Sequence, residues 1–411
     1  MRILLIHQAF AALGEPGGTR HHEFCRWLAE NGHTVTVVTG RVSYLTGDTV
    51  SSEAMPKEEI DDAGVHIVRC WSYRSYHRSF VHRAVSFLSF MLTSFFASLR
   101  QGPLDVVWGT SPPLMQGGTA WAVARVRRAA FVFEVRDLWP EFAIAVGVLR
   151  NRLLIRLSLW LERFLYRRAD ALVVNSPGFI EHVESRGARR VDLVPNGADV
   201  DMFSSAEHGQ AFRRKHGLEE AFVVLYAGAH GLSNDLGVVL DAAAQLGDHP
   251  QIVLVLLGDG KEKPGLMARA SAERLQNVRF VAPLPKREMA EALAAADACL
   301  AILKPLAAYR TTYPNKVFDY MAAGKPTILA IDGVIRQVVE QAEAGIFVPP
   351  GDGSALAEAI LKLAADDDRR RQMGLSARRA VERSFDRRML AAQLLRVMEE
   401  ARATRQGGEL R

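Results

Sequence analysis

What most restricts the fold of this chain is a strand–loop–helix alternation that runs along the sequence twice. Arg2 to Ala9 is apolar and β-rich, and Leu13 to Thr19 (LGEPGGT) is a glycine-bearing loop. Arg20 to Asn31 carries a helical pattern closed by Gly32, and Thr34 to Thr39 (TVTVVT) reads as the next strand. Further strands are expected at Val65–Val68, Val106–Trp108, Phe131–Val135 and Ala171–Val174. The alternation restarts with Phe222–Ala227, Gln251–Leu257, Val278–Val281, Ala298–Leu303, Thr327–Ala330 and Ile346–Val348. Strands separated by helices imply parallel βαβ units with right-handed crossovers. The expected class is therefore α/β: two doubly wound, Rossmann-like domains facing each other across a cleft. Leu193 to Phe203 (LVPNGADVDMF) is turn-rich and reads as the linker, which sets the domains at 1–200 and 201–385. Within 386–411, a final helix (Arg387 to Arg405) is expected to return to the first domain. A chain of 411 residues can bury two cores. Ligands of such folds sit at the carboxyl ends of the strands, so the cleft is the expected site.

Hydrophobic residues make up 49% of the chain and charged residues 24%, which excludes wholesale disorder. The three cysteines, Cys25, Cys70 and Cys299, form no C-x-x-C pair, so neither a disulfide scaffold nor a thiolate zinc site is expected, and a reducing cytoplasm fits. Met1-Arg2 runs directly into an apolar strand without a small-residue cleavage site, so no secretory leader is expected. The net charge of +5 conceals a strong asymmetry. Residues 69–168 hold fifteen Arg, no Lys and five acids (Asp105, Glu134, Asp137, Glu141 and Glu162). Inside that block, Ala84 to Leu99 is an uncharged apolar run of sixteen residues, short of the ~20 that span a bilayer. Asn151 to Arg168 (NRLLIRLSLWLERFLYRR) sets Arg152, Arg156, Arg163 and Arg167 on one helical face, with Leu153, Leu157, Trp160, Leu161, Phe164 and Leu165 filling much of the rest. Such a helix suits the headgroup plane of an anionic membrane, although two core helices with a wet face would carry the same pattern. No recognised fold or stacking motif accompanies the charge, so nucleic acid is not expected as a partner.

Three glycine loops follow expected strands. Gly17-Gly18-Thr19 precedes a helix whose free N–H groups could meet a phosphate. It is not G-x-G-x-x-G, and no acid closes the second strand, which counts against NAD. In the second half, Gly228-Ala229-His230 and Gly258-Asp259-Gly260 end successive strands, either as ligand loops or as tight turns. The densest segment is Tyr309 to Ile328 (YRTTYPNKVFDYMAAGKPTI). Pro314 suits a helix start, and Thr312, Asn315 and Lys316 lie where dipole, amides and ammonium would favour a phosphate. Asp319, one turn further on, is spaced for a ribose diol, which together suggests a nucleotide site; a capped helix with a surface Lys–Asp pair would look the same.

These segments resemble the retaining GT-B glycosyltransferases of family four, notably the branch that builds bacterial O-antigens and exopolysaccharides. The carriers are Gly17-Gly18-Thr19, Thr110-Ser111-Pro112-Pro113, Arg136-Asp137-Leu138-Trp139-Pro140-Glu141, Val194-Pro195-Asn196-Gly197-Ala198-Asp199, Gly258-x-Gly260 and the run from Pro314 to Pro326 (PNKVFDYMAAGKP), in that order over nearly the whole chain. The resemblance implies transfer of a sugar from a nucleotide diphosphate donor, usually UDP, with retention, the nucleotide on domain two and the acceptor on domain one. Lys316 would hold the diphosphate, Asp319 the ribose, the Gly17–Gly18 amides the distal phosphate, and backbone around Val281 to Leu284 the base. No metal or other cofactor is expected. Retaining enzymes of this kind need no separate nucleophile: the leaving phosphate takes the acceptor proton, and the protein positions and stabilises charge.

Two departures from the family pattern stand out. Where the family often has two glutamates eight positions apart, this chain has Thr311 and Asp319. An Arg and a Lys common after the first domain-two strand are also missing, leaving His230, Arg310 and Lys316 as substitutes. In domain one, Asp137 beside Arg136, with Glu141, would orient the acceptor or a donor hydroxyl, unless Asp137 only caps a helix. Asp199-x-Asp201 beside Asn196-Gly197 reads as turn chemistry, and His21-His22-Glu23, adjacent on a helix, cannot all face one metal. The leading expectation is a peripheral enzyme at the inner face of the cell membrane. It would add an N-acetylhexosamine or its 6-deoxy form from a UDP-sugar to a polyprenyl-diphosphate-linked acceptor. A soluble transferase acting on a small-molecule acceptor, a UDP-sugar 2-epimerase and a non-catalytic homologue remain open.

Overall fold

The computed structural model describes residues 1–12, 17–41, 58–73, 80–203 and 209–408. It divides into two compact units, one formed by Met1–Ala12, Gly18–Pro195 and Arg388–Arg411, the other by Leu13–Gly17 and Asn196–Arg387. The chain thus leaves the first unit at Pro195 and re-enters it at Arg388.

The first unit is built on eight strands: β1 (Arg2–Ile6), β2 (Thr34–Gly40), β3 (Glu58–Ile60), β4 (His66–Cys70), β5 (Val106–Ser111), β6 (Ala130–Val135), β7 (Ala171–Val174) and β8 (Val191–Leu193). Their order is β3-β4-β2-β1-β5-β6-β7-β8, parallel throughout except for the β3–β4 pair. Strands of a parallel sheet are buried on both faces and read as continuous apolar runs, with alternate side chains entering opposite layers. β1 shows this directly: Ile3 and Leu5 join one core, Leu4 and Ile6 the other. The first core is closed by the final helix (Arg387–Gly408), which buries Leu390, Ala391, Leu394, Val397, Met398 and Ala401 beside Ile3 and Leu5. The second lies under the helices Phe80–Leu99, Leu114–Arg127 and Arg152–Arg168.

The second unit is a six-stranded, all-parallel sheet of β9 (Phe222–Ala227), β10 (Ile252–Leu257), β11 (Val278–Val281), β12 (Ala298–Ile302), β13 (Thr327–Ala330) and β14 (Gly345–Phe347), in the order β11-β10-β9-β12-β13-β14. The chain winds away from β9 in both directions. In each sheet the direction of winding reverses at the first strand, β1 or β9, which opens a crevice at that strand's carboxyl end.

Strands β3 and β8 are additions to the sequence reading. Each has three residues, too short for a period to show, and β3 (Glu-Glu-Ile) is a charged antiparallel edge of the kind that blunts further pairing. Residues 13–16 of the first glycine loop lie outside the described residues.

Because Leu394 is fully buried against the first sheet, Leu394→Ala is expected to cost about 2–5 kcal/mol. Chemical denaturation followed by tryptophan fluorescence checks this; a loss below about 1 kcal/mol would show that the last helix adds little to the first unit's core.

Candidate functional site

In the second unit the carboxyl ends of β9 and β10 carry loops in direct contact. At Gly258, φ is 144°, and a Cβ there would lie 1.9 Å from the Gly228 carbonyl oxygen, so only glycine fits. The Gly228 N–H donates to Leu257 O at 2.9 Å and the His230 N–H to Asp259 O at 2.8 Å, fastening one loop to the other. Lys263, in the first turn of the helix Lys263–Ala272, donates from Nζ to Gly258 O at 2.7 Å and to Val281 O at 3.2 Å. The β9 end is tied to the helix Asn315–Ala322 by Tyr320, whose hydroxyl accepts from Ala227 N at 2.9 Å.

Lys316 projects from the first turn of that helix onto this floor. Its Nζ lies 3.9 Å from the centre of the Tyr226 ring, and a Cβ at Gly228 would come within 2.6 Å of it. The amine is buried and has no hydrogen-bond partner among the described residues. Burial pushes it down to about 7, and the amine rests over the Tyr226 face. His230 is fully buried beside it, both ring nitrogens without partners among the described residues. Burial, then the Lys263 charge, pushes its imidazole down to about 4 against an opposing pull from Asp259. It is thus neutral at pH 7, a hydrogen-bonding group and no cation. Gly228, His230, Gly258 and Lys316 are therefore brought together, with the Lys316 amine and the His230 ring nitrogens left without partners among the described residues.

The other expected residues have other partners. Asp319 accepts from Lys286 Nζ at 2.5 Å and from Asn315 Nδ2 at 3.2 Å, while Arg387 donates to Asn315 Oδ1 at 3.1 Å. Arg310 is 62% exposed and pairs with Asp332 at 3.0 Å. Thr311 donates to Ala308 O. The Val281 carbonyl already accepts from Gly258 N and Lys263. Lys263 and Lys286 were not singled out from the sequence. Each begins a helix just after a strand-end loop, the same signal that points to Lys316.

Gly17 and Gly18 are exposed just before the helix Arg20–Glu30 of the first unit, with open space beside Gly18. Arg136 and Asp137 lie at the carboxyl end of β6. Arg136 donates to Ser111 O at 3.3 Å and Pro112 O at 3.0 Å, anchoring the neighbouring loop, and Asp137 is exposed. Glu141 pairs with His182 Nδ1 at 3.0 Å, and His182 Nε2 reaches buried Glu162 at 2.8 Å. A fully buried polar group here was missed: Glu134, on β6, accepts from Arg20 Nε at 2.9 Å, His21 Nε2 at 2.7 Å and Trp108 Nε1 at 3.1 Å. Burial pushes its carboxyl up, but His21, Arg20 and Arg136 reverse that and hold it well below the usual range. Arg20 also donates to Val194 O and Pro195 O, the last residues before the chain leaves the unit. A lone acid inside an apolar strand, FVFEV, was the available signal. His21, His22 and Glu23 go separately to Glu134, Asp61 and Thr19.

Over residues 17–197 the chain matches the glycosyl transferase 4-like domain, and over 209–380 the glycosyl transferases group 1 domain. The chain belongs to the family-four glycosyltransferases. A relative of this family-four chain is the putative colanic acid biosynthesis glycosyl transferase WcaI of Escherichia coli K12, 23% identical over 323 residues, 75% of this chain and 78% of WcaI. Several other curated relatives are matched over only about half their length. Among solved structures, sucrose-phosphate synthase of Thermosynechococcus elongatus superposes with a TM-score of 0.79 at 20% identity, covering 98% of this chain and 99% of that one. HepE of Anabaena, solved in complex with UDP-glucose, gives 0.74 at 17%, covering 97% and 100%. These likenesses show the GT-B fold.

The first unit of this family-four chain also exposes apolar rows. Val85, Leu88, Leu92 and Phe96 line the outer side of Phe80–Leu99, and Leu153, Leu157 and Trp160 that of Arg152–Arg168, among Arg152, Arg156 and Arg163; Leu92 is 64% and Trp160 62% exposed. No helix among the described residues is long and apolar enough to cross a membrane.

Two outcomes follow. A buried amine pushed to about 7 is charged in the unfolded chain up to about pH 10.4, so folding carries its desolvation cost at neutral pH and loses it as pH rises. Lys316→Met should therefore raise the melting midpoint at pH 7, and the gain should shrink between pH 7 and about 10.5; a lower midpoint at pH 7 would refute the strained amine. Glu134→Gln leaves Arg20 buried without its carboxylate and should cost about 3–5 kcal/mol in urea unfolding; a loss under about 1 kcal/mol would show that the two carbonyls suffice.

Proposed function

We propose that this chain is a retaining glycosyltransferase that takes a sugar, an N-acetylhexosamine or its 6-deoxy form, from a UDP-sugar and gives it to a polyprenyl-diphosphate-linked acceptor at the inner face of the cell membrane, in the synthesis of a cell-surface polysaccharide. The observation that carries the donor half is the unpartnered Lys316 amine, enclosed by Gly228, Tyr226 and His230. A diphosphate oxygen would supply the acceptor that this amine lacks and restore its charge, while a His230 N–H donates beside it. Asp319, carrying Lys286 and Asn315, would present the ribose contact as part of a pair. The solved complexes of HepE with UDP and UDP-glucose agree with a uridine donor.

In the reaction, the anomeric C–O bond to the diphosphate breaks and a bond from the acceptor oxygen forms on the same face. The acceptor proton goes to the leaving phosphate oxygen. Residues of the second unit would stabilise the departing charge, while Arg136, Asp137 and Glu141 of the first would position the acceptor. No metal is needed for this division of labour. The acceptor half rests on the exposed apolar rows among arginines in the first unit, a composition that suits an anionic headgroup layer. The colanic acid biosynthesis after which WcaI is named agrees with a cell-surface product.

A thermal-shift panel with UDP, GDP, ADP, dTDP and NAD tests the donor. UDP at 100 times its dissociation constant should add about 2.7 kcal/mol, and Lys316→Ala should abolish the shift. If no nucleotide moves the midpoint, a non-catalytic homologue becomes the better reading.

A further inference from the structure

At the amino ends of β6 and β7, opposite the carboxyl ends that carry Arg136 and Asp137, an open cavity of about 360 Å³ is walled by Trp121, Arg125, Arg167, Arg168, Arg189 and Arg405. The arginines converge from three helices and a turn: Arg125 is in the last turn of Leu114–Arg127, Arg167 and Arg168 end Arg152–Arg168, Arg405 is near the end of Arg387–Gly408, and Arg189 precedes β8. Helix carboxyl ends favour cations, which explains why arginine is tolerated there. Each such end carries only about half a charge, too little to balance five guanidinium groups.

The wall contains one carboxylate, Asp170. Its Oδ2 is held by the Phe131 N–H at 2.8 Å, and its Oδ1 lies 4.0 Å from Arg405 Nη1. Arg125, Arg167, Arg168 and Arg189 have no ion pair among the described residues. Two further donors in the wall, the Trp121 indole N–H and Arg405 Nε, are buried without an acceptor among the described residues. A concave site with unpaired guanidinium groups and orphaned N–H donors fits a multivalent oxyanion, which supplies several acceptors at once. Arg167 and Arg168 also border an adjoining cavity of about 460 Å³ lined by Trp160, Phe164 and Leu159, in the exposed apolar region of the same helix.

We propose that this cavity binds a phosphate group, presented either by the headgroup of an anionic glycerophospholipid or by a soluble phosphate ester. The guanidinium groups hold the phosphate, and the Trp160 side accommodates an apolar tail where one is attached. The lipid source deepens the membrane part of the proposed function and is independent of the Lys316 donor site.

The test uses the full chain, the exposed-arginine double variant Arg125→Gln/Arg189→Gln, and Trp160→Ala, which lies outside the cavity. Flotation with phosphatidylglycerol–phosphatidylcholine vesicles is compared with calorimetric titration of glycerol phosphate. With the lipid source, the native chain floats with anionic but not neutral vesicles, and the double variant binds them roughly ten- to thirtyfold more weakly. With the soluble source, glycerol phosphate binds the native chain and not the double variant, whatever the vesicles do. If the native chain floats, Trp160→Ala does not, and the double variant behaves as the native chain in both assays, the phosphate site is refuted while membrane association stands. If the native chain neither floats nor binds glycerol phosphate, both are refuted.

Discussion

The contact between the Gly228 and Gly258 backbones is the constraint on which the rest of the second unit depends. Two adjacent parallel strands, β9 and β10, end at the same level, and their loops meet without side chains between them. That close approach leaves a floor on which a lysine amine can rest against backbone and the Tyr226 ring, out of water. A side chain at Gly258 would drive the loops apart and open the enclosure. The shifted Lys316 amine and the neutral His230 are both consequences of this packing, since burial is the first cause of each shift. The cost of desolvating the amine is what an anionic ligand would relieve, which would tie the stability of this region to ligand binding.

The first unit solves a related problem differently. Glu134 brings a charge into the centre of a parallel sheet, where it is sustained by Arg20 and His21 of the first helix and Trp108 of β5. Arg20 extends that network to the Val194 and Pro195 carbonyls. The polar cluster therefore fixes the start of the first crossover helix and the exit of the chain together.

Much of the architecture was legible from residues. The apolar runs of β1, β9 and β10 sit where they were expected because a strand buried on both faces needs an unbroken apolar run. Strands β3 and β8 escaped, being three residues long and held by pairing rather than by pattern. The grouping of Gly228, Gly258 and Lys316 could be anticipated, since each lies at a strand end or helix start that the fold must turn toward one edge. The pairing of Asp319 with Lys286 could not, because the two residues are 33 positions apart and nothing local couples them. Nor could the pairing of Arg310, named as a substitute for the missing phosphate cations, with Asp332, 22 positions further along the chain.

The sequence by itself determined the class of each layer, the number of repeats of the alternation, the places where glycine is needed and the uneven spread of arginine. Hydrophobic periodicity and backbone sterics are local properties, and the chain displays them without help. Tertiary structure decided which polar groups are satisfied. Burial and partnership arise only when distant segments meet: among the described residues Lys316 is left without a hydrogen bond while Asp319 accepts from Lys286 and Asn315, and four arginines gather without ion pairs at the amino ends of β6 and β7. Whether a charge is spent on structure or left available for a ligand is a matter of what surrounds it, and that is settled by the fold.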